Sequence, residues 1–364
     1  MRVHHTVFEQ VIKKCRDLHP IAVAVVSPLS EVALTGAIEA ARAGLIKPYL
    51  VGPRVRIALL AHEHGVEIAP YPIVDVADDL EAAQRGVELC REDTCQALMK
   101  GSLQTHVFLK PILADNTELH SKRRMSHAFV IDSPSYPRTL IITDAAINVY
   151  PKLEEKADIV QNAIDLAHLL GIATPKVAIL SASETVSSTI ASTIDAAALC
   201  NMADRGQITG GVLDGPLAFD DATEPDASRI KHIHSAIAGR ADVLVAPDLE
   251  SGNMLAKQLY SQAGAEAAGV VLGARVPLIL NSRTANAKSR LASAAIAALL
   301  AQKDRQELSG VTAGFGVLLQ SKAWLSSGGS ESQMKHEAPL RLDKGVKMFP
   351  DIESSLTAET QPRE

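Results

Sequence analysis

Aromatic side chains make up only 3% of this 364-residue chain, so its interior has to be packed with Ala, Val, Leu and Ile drawn from a 47% hydrophobic content. That bias suits strands buried between helices in a parallel sheet. Cysteine is scarce too. Cys15, Cys90, Cys95 and Cys200 show no paired framework, and no His or further Cys clusters near Cys90 and Cys95 to complete a zinc site. They read as reduced thiols of a cytosolic protein. No run reaches the roughly 18 apolar residues that a membrane helix requires, and the first residues from Met1 lack the apolar stretch of a secretory signal. The expected location is therefore cytoplasmic. An excess of positive charge is also missing: 36 Lys and Arg stand against 42 Asp and Glu, for a net charge of −6. Without basic clusters or interleaved aromatics, nucleic-acid binding loses its basis. The phosphate loop G-x-x-x-x-G-K-[ST], the dinucleotide fingerprint G-x-G-x-x-G after a strand and the nucleophile elbow G-x-S-x-G do not occur.

What is present is a regular alternation of short β-branched runs and Ala-rich helical patterns, the mark of repeated βαβ units. Strands are expected at 21–27, 49–51, 68–74, 97–99, 125–131 and 140–143. In the second half they are expected at 177–180, 211–213, 243–246, 269–272 and 278–280. Helices are expected over 33–43, 54–64, 78–91, 153–170, up to Arg205, 227–237, 253–262 and 285–300. Gly171 and Pro175 close the long helix 153–170 and put the crossing between two halves near residue 142. The chain is long enough for two cores. The reading is two α/β domains with mainly parallel sheets, residues 1–142 with 287–305 and residues 143–286. After Asp304 the alternation stops, and the tail 306–364, with its SSGGSES stretch, is expected to be largely disordered.

In open α/β sheets ligands gather at the carboxyl ends of strands, and several polar loops fall there. Lys100-Gly101-Ser102 offers a cation, free backbone N–H groups and a hydroxyl, which suits a phosphate cradle, though alone it reads equally well as a polar turn. Ser126-His127 precedes a strand, where an imidazole binds an anion or satisfies a backbone group. Asp144 to Asn148 alone is turn chemistry. Asp214-Gly215-Pro216 bends the chain after a strand, with Asp220 and Asp221 close behind. Pro247 to Asn253 opens a helix that Ser251 or Asn253 can cap, with Asp248 and Gly252 in the same loop. Asn281-Ser282-Arg283-Thr284 joins a hydroxyl, an amide and a permanent cation able to grip phosphate.

Taken together and in this order, Lys100 to Ser102, Ser126 to Phe129, Asp144 to Asn148, Leu180 to Thr185, Asp214 to Ala222, Pro247 to Lys257 and Asn281 to Thr284 resemble the phosphate acetyltransferase and phosphate butyryltransferase family. The likeness spans about residues 10–302. It implies two three-layer α/β domains of the isocitrate/isopropylmalate-dehydrogenase type with the active site in the cleft between them, and a homodimer formed through the second domain. The implied reaction is reversible acyl transfer between coenzyme A and inorganic phosphate, by direct attack of the thiolate on the acyl phosphate. The implied partners are acetyl-CoA or butyryl-CoA, phosphate and acyl phosphate; coenzyme A is a substrate, and no metal or tightly bound cofactor is implied. Ser282 and Arg283 carry the catalytic roles over from the family. Lys100, Gly101, Ser102, His127, Asp214, Asp248, Gly252, Asn253, Asn281 and Thr284 are the expected substrate-binding positions.

One departure stands out. The acetyltransferase branch has an Asp seven residues after its Ser-Arg serine, where this chain has Ser289, and no Asp or Glu lies between Ser282 and Ala301. His127, Glu184, Asp214 and Asp248 remain candidates for the general base. Alternatively, Arg283 and Lys100 depress the thiol pKa without one. A non-catalytic module sensing acyl-CoA or acyl phosphate is the rival reading, and a dehydrogenase of the same overall fold is a third.

Overall fold

A computed structural model describes residues 7–114, 117–303 and 305. The expected tail 306–364 lies outside the described residues. The strands are β1 (Ile21–Val26), β2 (Ile46–Val51), β3 (Ile73–Val74), β4 (Ala97–Lys100), β5 (Ser126–Asp132), β6 (Leu140–Thr143), β7 (Lys176–Leu180), β8 (Val212–Leu217), β9 (Val243–Val245), β10 (Glu266–Leu272) and β11 (Leu278–Ile279). The helices are α1 (Val7–Lys14), α2 (Glu31–Arg42), α3 (Arg54–Glu63), α4 (Asp79–Arg91), α5 (Thr105–Ile112), α6 (Leu153–Leu170), α7 (Ala191–Asp204), α8 (Phe219–Thr223), α9 (Pro225–Ile230), α10 (Leu249–Gln262) and α11, residues 287–303. Among the described residues all eleven strands join one sheet, in the order β3-β2-β1-β4-β11-β10-β5-β6-β9-β7-β8.

The sheet is mainly parallel, as the aliphatic strands lead one to expect. Its centre is not: β5 pairs antiparallel with both β6 and β10, and β10 with β11. Short connections explain the β5–β6 and β10–β11 reversals, because a parallel return would need a dozen or more residues. Among the described residues no helix is long and apolar enough to cross a membrane.

Strand alternation sorts the core. Val23 and Val25, Ala97 and Met99, Ala128 and Val130, and Val243 and Val245 point to one face, where they meet α1, α2, α6, α7 and α11 in a single continuous cluster. The opposite face carries two separate clusters. Ala24, Val26 and Leu98 pack there under α4 and α5. Phe129, Ile131, Ile142 and Leu244 form the second, with Ala256 of α10. Each fully buried aliphatic side chain contributes about 1.5–3 kcal/mol, so both flanks of the sheet are firmly held. The break between these two clusters, at β10 and β5, leaves a crevice between α5 and α10.

Helix ends follow side-chain chemistry. Ser30 Oγ accepts from the Ala33 N–H, and Asp78 accepts from Leu80 and Glu81, which fixes the starts of α2 and α4. Gly171 takes the left-handed conformation (φ 100°) that ends α6. Two expectations are corrected. The helix expected over 227–237 stops at Ile230: Pro225 restricts Glu224 and separates α8 from α9, and the Lys231 ammonium is drawn to Glu184, Asp220 and Asp221 at 2.8–3.0 Å. The helix expected from Asn253 begins at Leu249, because Asp248, rather than Ser251 or Asn253, caps it through the Ser251 N–H at 2.8 Å.

Candidate active site

The crevice opens into a cleft of about 740 Å³, within the range of small-molecule sites. Lys100 enters it from the end of β4, followed by Gln104, Thr105 and His106 at the start of α5. Asn253, Lys257 and Tyr260 reach in from α10. Phe129 and Leu280 form apolar wall between them, and Asn281, Ser282, Arg283 and Thr284 close the circuit. Lys100, Lys257 and Arg283 face this space, and none of its described lining residues is Asp or Glu. Such a wall attracts anions and repels none of their charge.

Lys100 is the cation most shaped by its surroundings. Only 3% of it is exposed, and its Nζ donates to the carbonyls of Gly101 (3.2 Å) and Leu103 (2.9 Å). Burial, and then the positive charges of Arg290 and Arg283, push its pKa down to about 8. An arriving phosphate would relieve both effects. Arg283, by contrast, is exposed, and its guanidinium makes no hydrogen bond or ion pair among the described residues. Ser282 Oγ and Thr284 Oγ1 lie 2.9 Å apart, leaving one hydroxyl proton free to point outward. They sit just before the N-terminus of α11, whose Asn286 accepts from the Ser289 N–H; helix N-termini favour negative charge.

Several other expected site residues hold this arrangement without facing the cleft. Gly101 lies against β1, where a Cβ would come within 2.2 Å of the Ser27 carbonyl oxygen. Ser102 Oγ donates to that same oxygen at 3.0 Å and accepts from the Leu29 N–H. His127, expected just ahead of a strand, lies inside β5 and is fully buried. Its Nε2 bonds the Leu280 carbonyl at 3.1 Å, directly behind Asn281, and burial holds the ring neutral. Asn281 Oδ1 accepts from the Gly269 N–H and the Ser293 hydroxyl, so this amide braces its loop while one edge lines the cleft. Asp248 spends its carboxylate on the α10 cap. Gly252 lets α10 approach the Asp144 carbonyl, where a Cβ would fall at 2.3 Å. Asn253 Nδ2 donates to the Ala145 carbonyl at 2.8 Å and also lines the cleft.

Asp214 lies elsewhere. It sits on the edge strand β8, with β6, β9 and β7 between it and β5. Glu184 is tied to Lys231 at 3.0 Å, and hydrogen bonds from Asp221 and Lys231 hold its carboxyl down to about 2. None of the four base candidates, His127, Glu184, Asp214 and Asp248, lines the cleft. Among the described residues no group of His, Cys, Asp or Glu is placed to hold a metal ion.

Sequence reasoning overlooked Arg290. It is buried, and its guanidinium donates to the carbonyls of Ser282 (3.2 Å) and Ala285 (3.3 Å), clamping the loop that carries Ser282 and Arg283. Its place one turn into an Ala-rich helix was the available signal, since an Arg on the apolar side of such a helix needs a partner. His106, Lys257, Phe129 and Tyr260 were also passed over as lining residues.

The cleft gathers Lys100 with the Asn281–Thr284 loop on the side of the sheet where the polar loops were expected to converge. A family model described as "Phosphate acetyl/butaryl transferase" matches residues 79–298, which contain every lining residue of the cleft. The chain belongs to this family of acyltransferases. It is 53% identical over 298 residues to a phosphate acetyltransferase of Rhizobium meliloti, covering 82% of this chain and 94% of that one. It is 36% identical over 294 residues to a phosphate butyryltransferase of Clostridium acetobutylicum, covering 81% and 98%. A branched-chain phosphotransacylase from Enterococcus faecalis shares the fold with a TM-score of 0.67 and 28% identity, over 77% of this chain and 99% of that one. The family's polar loops thus sit on an α/β fold that it shares with a solved phosphotransacylase.

Proposed function

We propose that the cleft transfers an acetyl or butyryl group reversibly between coenzyme A and inorganic phosphate. The observation that carries this reading is the convergence of Lys100, Ser282 and Arg283 on one cationic cleft free of carboxylates among its described lining residues. Coenzyme A and phosphate are both anionic, and a wall of this sign concentrates both reactants in one place.

In the direction of acyl-CoA synthesis, the coenzyme A thiolate attacks the carbonyl carbon of the acyl phosphate. A C–S bond forms, the C–O bond to phosphate breaks, and inorganic phosphate leaves with the electron pair. Arg283 and the Ser282 hydroxyl hold the phosphoryl oxygens and steady the charge that builds on them. Lys100 supplies a second cation. A free thiol has a pKa near ~8.5, and neighbouring cations lower it. The cationic wall thus raises the thiolate fraction without a carboxylate base, which fits Ser289 at the position where the acetyltransferase branch has Asp. The reverse reaction uses the same contacts.

Lys100 makes the reading pH-dependent. Its protonated form binds phosphate, and with a pKa near 8 that form is complete well below pH 8 and lost above it. The KM for phosphate or acyl phosphate is expected to rise between pH 8 and 10 while kcat changes less; a KM flat across that window would remove Lys100 from the anion site.

We place the enzyme in the cytoplasm as a homodimer. Its four cysteines are unpaired thiols, which suits a reducing compartment. The division into residues 1–142 with 287–305 and residues 143–286 is retained, with the dimer contact on the second. Exposed Tyr150, Val186, Ile230 and Met254 favour that side. A coupled assay of acetyl and butyryl phosphate with coenzyme A tests the activity directly. Formation of the thioester is the expected result; tight coenzyme A binding with no turnover would establish a sensing module instead.

A further inference from the structure

Between α10 and the start of α11 the cleft continues into a recess of about 100 Å³. Phe129, Tyr260, Ser282 and Thr284 line both spaces, so the recess begins where the phosphoryl-gripping loop ends. The two rings stand 6.3 Å apart, centroid to centroid, at its mouth. Its existence follows from small side chains. On β10, Ala267 and Gly269 pair with Ile131 and Phe129 of β5 and share their face of the sheet, where most strands carry larger residues. Gly269 cannot be enlarged, since a Cβ there would meet the Leu280 carbonyl oxygen at 2.1 Å. Ala265 and Ala285 add small side chains, Asn286 adds a polar one, and buried Ser289 closes the far side.

We propose that this recess receives the alkyl end of the acyl group and admits chains as long as butyryl. The inference rests on the acyl-transfer reading above and deepens it. A carbonyl held beside Ser282 projects its substituent either back toward the cationic cleft or into the recess. The cleft is far larger than an alkyl chain, whereas the recess matches one in size and sets Phe129, Tyr260 and three alanines around it. An apolar cavity of ~150 Å³ holds benzene, so 100 Å³ has room for the three carbons beyond a butyryl carbonyl. Ser289 matters here because it is small and uncharged: a carboxylate at that position would put charge beside the alkyl chain and disfavour a longer one.

The test measures kcat/KM for acetyl, propionyl and butyryl phosphate with coenzyme A, in the wild type and in two variants that fill the recess from opposite walls, Ala267→Val and Ser289→Leu. The wild type is expected to use butyryl phosphate at least as well as acetyl phosphate, since each buried methylene favours binding by about fourfold. Each filled variant is expected to lower the butyryl-to-acetyl ratio at least tenfold. Having two walls guards against one variant misfolding, and the ratio reads selectivity independently of the amount of active protein. A ratio that stays the same in a folded variant overturns the recess as the acyl site, while acetyl turnover would leave the acyl-transfer reading standing. No turnover of any acyl phosphate by the wild type would remove that reading, and this inference with it.

Discussion

Replacing Arg283 with Ala is expected to lower kcat/KM for acyl phosphate by about 10²- to 10³-fold, the usual cost of removing one donor aimed at developing negative charge. The folded state should be indifferent to the change. Arg283 is exposed, and what the structure uses of it is the backbone carbonyl, toward which Arg290 Nη2 reaches at 3.5 Å. Melting temperature and circular dichroism should therefore match the wild type while turnover collapses. Arg283→Lys keeps the charge and loses the planar fork, so it should fall between the two. Wild-type turnover in Arg283→Ala would exclude the arginine from the chemistry.

Lys100→Met should separate activity from stability in an unusual direction. Lys100 titrates near 8 instead of the ordinary 10.5, so its charged form is disfavoured in the folded protein. The difference corresponds to a penalty of order ~3 kcal/mol. It is borne in full below pH 8. It fades as pH rises from 8 to 10.5, where the unfolded chain still binds the proton and the folded one does not. Methionine fills a similar volume without the charge. The two hydrogen bonds to Gly101 and Leu103 are forfeited, at about 1 kcal/mol each. The net expectation at pH 7 is a melting temperature equal to or above the wild type, with the advantage shrinking toward pH 10. Activity should move the other way, with kcat/KM falling about 10- to 100-fold for loss of one charged hydrogen bond. A large drop in melting temperature would mark Lys100 as a structural residue.

The parts of this molecule that could be read from sequence are those governed by local rules. The helix Leu153–Leu170 was read to the residue because its apolar period ends at Gly171, which only a left-handed turn explains. Buried β-branched runs placed the strands, and their polar ends placed Lys100 and the Asn281–Thr284 loop. The misses have several causes. The α5 helix escaped notice because Pro111 interrupts an otherwise helical run. The antiparallel pairing of β5 with β10 joins strands far apart in the chain, which no local pattern encodes. Asp248 and Asn281 look like ligands in sequence, since a carboxylate or amide in a polar loop serves a substrate and a backbone N–H equally well. Lys257 and Tyr260 of α10 could be recognised as lining residues only once the elements opposite them were in place.

The uneven layering of hydrophobic clusters on the two faces of the sheet has a mechanical outcome. One face is backed by an uninterrupted aliphatic layer that runs beneath both flanks. Close-packed layers of this kind resist compression, so they act as a stiff spine along the back of the molecule. Adjusting the grip on reactants therefore falls to the long, jointed side chains of Arg283 and Lys257 at the mouth, which can sweep several ångströms while the framework behind them stays put.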